Sequence, residues 1–124
     1  MTATDEARRA LERQQTVEIT TIGRRSARPR RIETWRYLAD GRYWLTGSPG
    51  TRDWYANIVA HPDFTLHLAG RDLRVRGRPV TSPEERSRVL GAIVPTLAWA
   101  DSLESWLAGS PLVEIELDPD GQPD

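Results

Sequence analysis

Residues 17–62 read VEITTIGRRSARPRRIETWRYLADGRYWLTGSPGTRDWYANIVAHP, and the fold turns on how this stretch divides. Val17 to Ile22 is β-rich, with Val17, Ile19 and Thr21 on one face, the period of a half-buried strand. Gly23 breaks it. Six arginines follow within fourteen residues: Arg24, Arg25, Arg28, Arg30, Arg31 and Arg36. Arg31 to Ala39 alternates again, with Glu33, Trp35 and Tyr37 on one face and Ile32, Thr34, Arg36 and Leu38 on the other. Asp40-Gly41 is a hairpin signal, because both residues accept the positive φ of a tight turn. Tyr43 to Gly47 is the third strand. The polar loop Gly47-Ser48-Pro49-Gly50-Thr51 then leads into a short helix over Arg52–Ala60. In that helix Trp54 and Ile58 lie one turn apart, as do Tyr55 and Val59, and His61-Pro62 ends it. The stretch reads as a β-meander carrying an anion site beside a loop that can receive a flat ring.

The flanking chain supplies the rest of a barrel. Thr4 to Gln14 reads as a helix with acids at its start and arginines at its end, matching the helix dipole. Phe64–Ala69 and Asp72–Val80 alternate as strands, joined by a turn at Ala69-Gly70-Arg71. Ser82-Pro83-Glu84-Glu85 is a capping box with proline in the first helical turn, and Pro95 should kink or end the helix it opens. A second helical piece is expected near Leu97–Ala108, and Pro111–Leu117 is the last strand. The tail, Asp118 to Asp124, reads as polar and flexible. Six short strands with mostly antiparallel connections predict one mainly-β α+β domain over residues 1–124, a small barrel with helices packed outside.

Composition narrows the function. The chain has 124 residues, enough for one domain with a real core. No apolar run approaches the ~20 residues of a membrane span, and the N-terminus lacks the apolar segment of a signal peptide, so the cytoplasm is expected. Cysteine is absent, which removes disulfides, thiolate metal sites and cysteine nucleophiles. All 17 basic residues are arginine, so lysine Schiff-base chemistry is absent too. Net charge is −1, yet residues 23–36 hold six arginines against Glu33 alone, while residues 101–124 hold seven acids and no base. Clustered arginines in a near-neutral chain point to a local anion site, and a nucleic-acid binder is disfavoured by the acidic balance.

Each candidate site has a plain structural alternative. Arginine forks in a turn suit phosphate or carboxylate, and Ser26 with nearby backbone N–H groups adds donors. Alone, the same cluster fits a solvated basic loop. Ser48, Pro49 and Gly50 shape a loop that backbone could press against a flat ligand, or they simply connect strand to helix. Trp54 and Asn57 share a helical face; Trp54 fits core packing, whereas a buried Asn57 needs partners. His61 and His67 lack metal-pair spacing, so no metal is expected. No GxSxG elbow accompanies Ser48 and His67, and glycine-rich nucleotide fingerprints are missing. Arg86, on the later helix, reads as an arginine remote from the cluster.

The run ITTIGRRSARPRRIETW (19–35) resembles the strand–turn–strand signature of deazaflavin-dependent nitroreductase family proteins. The run RDWYANIVAHPDFTLHL (52–68) is similar to the same family's helix-and-strand segment. The resemblance implies a split β-barrel, akin to flavin-binding pyridoxamine-phosphate-oxidase-like barrels. It implies an F420H2-dependent oxidoreductase passing hydride from the deazaflavin to a small organic acceptor of quinone, nitro or activated-alkene type. It would set Arg24, Arg25, Ser26, Arg28 and Arg30 near the phosphate and oligoglutamate tail of coenzyme F420. It would set Ser48, Pro49 and Gly50 along the ring, and Trp54, Tyr55 and Asn57 at the helix closing the ring site. Tyr55 is the candidate proton donor. The alternatives are an FMN-dependent oxidoreductase of the same barrel and a non-enzymatic flavin- or haem-binding protein. Five tryptophans, with Trp35 and Trp44 on neighbouring strands, exceed what so small a core hides, so an apolar patch and a homodimer are expected.

Overall fold

The structure, a computed structural model, describes residues 3–13, 15–68 and 70–117. The expected tail over 118–124, Gln14 of the expected first helix and Ala69 of the expected turn at 69–71 lie outside these residues. The elements run α1 (Ala3–Arg13), β1 (Thr16–Ile22), β2 (Pro29–Ala39), β3 (Arg42–Thr46), α2 (Asp53–Ala60), β4 (Asp63–Leu68), β5 (Arg71–Pro79), α3 (Pro83–Ile93), α4 (Leu103–Gly109) and β6 (Leu112–Glu116). A 3-10 turn, Val94–Thr96, follows α3.

Six strands close into one antiparallel barrel in the order β1-β2-β3-β6-β5-β4. Glu18–Thr20 against Thr65–His67 makes the closing pair. The Asp40-Gly41 turn forms as its residues dictate, with φ of 57° and 72°. Alternation then sorts the side chains. Val17, Ile19, Tyr43, Leu45, Phe64, Leu66, Leu68, Val75, Val113 and Ile115 fill the interior. Ala10 and Leu11 of α1 and Trp54 and Ile58 of α2 join that same cluster. Gly77 lies where a Cβ would meet Ile58 Cγ2 at 2.6 Å, so β5 has no side chain where α2 seats.

The opposite faces of β3 and β6 are also covered near Trp44 and Leu112. Trp44 and Leu112 pack outward under α3 and α4 with Val89, Leu90, Ile93 and Trp106. Residues 43–46, YWLT, and 112–115, LVEI, are buried on both faces, with Thr46 and Glu114 the polar members of the outer one. The outer face of β1 and β4 stays polar.

Two expectations change. β2 begins at Pro29, two residues before the expected Arg31, so Arg30 also stands on a strand and the turn shrinks to Gly23–Arg28. The helix expected near 97–108 is only Leu103–Gly109, because Pro95 ends the preceding turn and Ser102 caps the next helix, accepting from Ser105 N at 3.2 Å. Trp99 is thereby left in a connecting segment.

Candidate functional site

The arginine turn is built by hydrogen bonds from its own backbone. Gly23 N donates to Arg28 O at 2.8 Å, and Ala27 N donates to Gly23 O at 2.9 Å. A Cβ on Gly23 would meet Ser26 Oγ at 2.4 Å, so a larger residue there would displace the Ser26 hydroxyl from its place in the turn. Ser26 Oγ accepts from Arg28 N at 3.2 Å. Ala27 adopts φ 57°, a left-handed conformation unusual for a residue with a Cβ.

Asn57 anchors the turn to the barrel. It is 3% exposed. Its Oδ1 accepts from Arg24 N and from Arg24 Nη1, both at 3.0 Å, and its Nδ2 donates to Thr21 Oγ1 at 3.2 Å. Arg24 Nη2 also reaches Asp53 at 3.3 Å. Helix α2, strand β1 and the turn thus meet at one satisfied polar knot, as a buried amide requires.

A cleft of about 300 Å³ opens beside this knot. Arg24, Arg25, Ser26 and Arg30 line it with Trp54 and Asn57; Ile32 adds a second apolar wall. Arg28 is exposed at the outer end of the turn. Among the described residues Arg25, Arg28 and Arg30 form no ion pair. Three guanidinium forks without partners, beside a cleft with apolar walls, suit a ligand that joins a flat ring to several anionic groups.

Ser48, Pro49, Gly50 and Tyr55 lie outside this cleft. Gly50 N donates to Gly109 O at 3.1 Å, and a Cβ on Gly109 would touch Pro49 Cβ at 3.3 Å. The loop is therefore docked on the end of α4. Arg52 folds back over it, donating to Ser48 O at 2.9 Å and Thr51 O at 3.2 Å. Tyr55 is half-buried, its ring edge-on to Trp54 at 6.2 Å. A smaller hollow of about 190 Å³ lies between this loop and β2, and Trp54 walls both hollows. Tyr37 lines the smaller one, and burial pushes its phenol pKa up.

Two features escaped sequence reasoning. Arg86 is no remote surface residue: its guanidinium donates to Val80 O, Trp106 O, Leu107 O and Ser110 O, the last at 2.8 Å, and so holds the C-terminal end of α4. His67 links Thr20 Oγ1 and Asp72 Oδ1, each at 2.7 Å, on the outer barrel face. The hollow there is larger, about 690 Å³, but charged and polar side chains dominate its lining and it offers no ring a wall. Among the described residues no cluster could hold a metal ion, and no helix is long and apolar enough to cross a membrane.

No curated protein matches the chain. Among solved structures, an F420-H2 dependent reductase is 23% identical, covering 83% of this chain and 95% of its own, with a TM-score of 0.61. An FAD-binding protein from Mesorhizobium loti is 12% identical, covering 94% and 90%, with a TM-score of 0.64. A third, solved as a domain-swapped dimer, is 20% identical, covering 93% and 100%, with a TM-score of 0.54. These likenesses establish the barrel. The model of the F420H(2)-dependent quinone reductase family matches residues 2–106, which include the arginine turn, its Asn57 anchor and the 47–52 loop. The chain belongs to that family, the F420H(2)-dependent quinone reductases, oxidoreductases that use coenzyme F420.

Proposed function

We propose that the arginine turn and the cleft beside it hold F420, and that the chain, acting as one domain, directs reduction of a small organic acceptor. The observation that carries this is the set of arginines with no ion pair among the described residues, Arg25, Arg28 and Arg30, on and beside a turn already fixed by Asn57. Arg25 and Arg30, with Arg28 further out, take the phosphate and the carboxylate tail. Trp54 and Ile32 pack the ring, and the Ser48-Pro49-Gly50 loop limits water beyond it. Arg24 is occupied by Asn57 and Asp53, so it positions the turn and adds charge to the cleft. When bound, the cofactor supplies a hydride, so the protein needs to bind, orient and exclude water. Tyr55 stands one helical position from Trp54 as a candidate proton source.

The test is titration of the purified protein with F420, FMN and haem. F420 should bind at least tenfold more tightly than FMN, about 1.4 kcal/mol, because FMN lacks the tail the outer arginines read. Equal affinities would overturn the site and favour an FMN-dependent oxidoreductase of this barrel. Tight haem binding would favour a carrier.

We further propose a cytoplasmic homodimer. Trp44 and Trp106 are fully buried, but Trp35 and Trp99 remain exposed, and a related barrel was solved as a dimer. A light-scattering mass of one chain at micromolar concentration would reject the dimer.

A further inference from the structure

Large apolar side chains exposed to water are few here, and the two tryptophans among them stand on one face. Trp35 is 47% exposed and Trp99 58%. β2 alternation turns Trp35 outward with Glu33 and Tyr37, and the short connection before α4 brings Trp99 beside them. Trp99 packs against the buried Trp106 ring at 5.8 Å, so one side of its indole is supported and the other meets solvent. The two tryptophans line the hollow of about 190 Å³, together with Glu33 of β2 and Arg52 of the loop. Neither of those charges forms an ion pair among the described residues. Glu33 faces Glu18 across the β1–β2 ladder, like charge beside like charge. Arg52 gives its fork to carbonyls, Ser48 O and Thr51 O, so its charge is not neutralised.

We infer that this face is where two copies of the chain meet: Trp99 of each copy seats in the hollow of the other, and Glu33 of each pairs with Arg52 of the other. The inference rests on the homodimer proposed above and gives it a surface. A two-fold contact sets one patch against itself, so each group must find its complement within that patch. This patch holds both members of each pair, an apolar knob with an apolar hollow and an acid with a base. Glu33 and Arg52 line one hollow without meeting, and the two-fold joins them twice. Ordinary ligand pockets run to ~300–1,000 Å³, so this hollow is undersized for a ligand and suited to one aromatic side chain. Indoles pack offset or edge-to-face, and Trp35 and Trp99 offer faces for both. Tryptophan at the dry centre of an interface, ringed by polar groups, is the arrangement that holds most of the binding energy. Trp54 stands between this face and the arginine cleft, so Arg25, Arg28 and Arg30 take no part in the contact.

The test is sedimentation equilibrium of the full chain at micromolar concentration. Wild type should be a dimer. Trp35→Ala and Trp99→Ala should each weaken the dimer about tenfold or more. Val59→Ala, on an exposed apolar residue of α2 outside the face, should change nothing. Glu33→Arg sets arginine against Arg52 twice, Arg52→Glu sets glutamate against Glu33 twice, and each should weaken the dimer about tenfold or more. Mixed in equal amounts, these two charge variants should form a heterodimer within about threefold of wild-type affinity, because each supplies the charge the other lacks. Cooperative thermal unfolding shows which variants fold. Trp35→Ala and Glu33→Arg, both at exposed positions of β2, decide the matter if Arg52→Glu does not fold. A wild-type monomer overturns the homodimer and this face together. If that monomer floats with phosphatidylcholine vesicles, the face belongs to a lipid surface. If wild type is a dimer and both tryptophan variants match it, the homodimer stands and this face falls. A mixture of folded charge variants no tighter than either variant alone also overturns the contact.

Discussion

Two groups of arginines in this molecule carry the same charge and do opposite things. On one side Arg78 of β5 donates to Glu85 of α3 at 3.0 Å and to Glu114 of β6 at 2.9 Å, and Arg86 fills its fork with backbone carbonyls. On the other side Arg25, Arg28 and Arg30 lie along a turn with no ion pair among the described residues. The first group joins the outer helices to the barrel. The second is an arrangement of charge that folding itself does not consume. An arginine's role here follows from whether its planar fork is already filled, and neighbouring sequence gives little warning of which it will be.

The largest effect expected from breaking this contrast is at Arg86. Arg86→Ala takes the guanidinium donors from Leu107 O and Ser110 O at the end of α4, and loss of a charged hydrogen-bond set of this kind should destabilise the fold by about 3 kcal/mol. Urea unfolding measures it; a change under about 1 kcal/mol would put Arg86 back among the surface arginines.

Arg78 comes next. Arg78→Ala leaves the buried Glu114 with Arg42 alone, at 3.6 Å, and with solvent partly reaching Arg78 the loss should be about 2 kcal/mol. The same pair predicts a pH dependence. The Arg78 guanidinium holds the Glu85 carboxyl below the usual carboxylate range. A folded pKa below the unfolded one stabilises the protein above the unfolded value of ~4.3, and that contribution is lost as pH falls through the folded value. Wild type should therefore exceed Glu85→Gln in stability at pH 7, and the gap should close below about pH 4. A gap that persists unchanged into acid would show that the ion pair contributes nothing.

For the open group the effect moves from stability to binding. Arg25→Ala should shift stability by less than about 0.5 kcal/mol, yet weaken F420 roughly ten- to a hundredfold, with wild-type affinity falling as salt rises. Unchanged affinity would make the turn a solvated loop. Because Arg86 holds α4, and α4 holds the Pro49-Gly50 loop, Arg86 cannot serve as a neutral control. Arg74, exposed on the outer barrel face with no ion pair among the described residues, is the better one: Arg74→Ala should leave binding alone.

The smallest effect is at Ala27. Its φ of 57° is disfavoured for a residue with a Cβ by roughly 1–2 kcal/mol, part of which a glycine returns through unfolded-state entropy. Ala27→Gly should raise stability by about 0.5 kcal/mol, measured by thermal unfolding. A loss instead would show that the turn draws support from the alanine methyl.

These results separate what sequence could reveal from what it could not. The Asp40-Gly41 hairpin and the alternation of β1, β4 and β5 were readable because both signals are local: turn chemistry and a period of two. The arginine turn was found by its density of charge, and its family signature made the cofactor readable as well. Asn57 was singled out as a buried amide in need of partners, but those partners, Thr21 and Arg24, lie more than thirty positions away and no pattern names them. The fork of Arg86 hides for the same reason, since its acceptors are main-chain oxygens of a distant helix end. Trp99 was misassigned to a helix because the 3-10 turn ending at Thr96 and the Ser102 cap confine residues 97–101 to one tight turn, in which Ala100 N donates to Leu97 O at 3.1 Å. Exposure of Trp35 follows from α3 covering only the far end of β2, a matter of helix placement that β2 itself does not encode.

Closure of the barrel has a consequence for how two copies can meet. A ring of strands has no first or last member, but β2 outruns its neighbour: Pro29 to Trp35 pairs with β1 while only Arg36 to Ala39 pairs with β3, so the other edge of its first half has no strand partner among the described residues. Copies can meet along that edge, through side-chain faces, or by parting the ring. Its narrowest join is Glu18–Thr20 against Thr65–His67, where His67 reaches from Thr20 to Asp72 like a clasp over the gap. Parting there would release two complementary edges at once, and each could be satisfied again only by its own counterpart or by the identical edge of another copy.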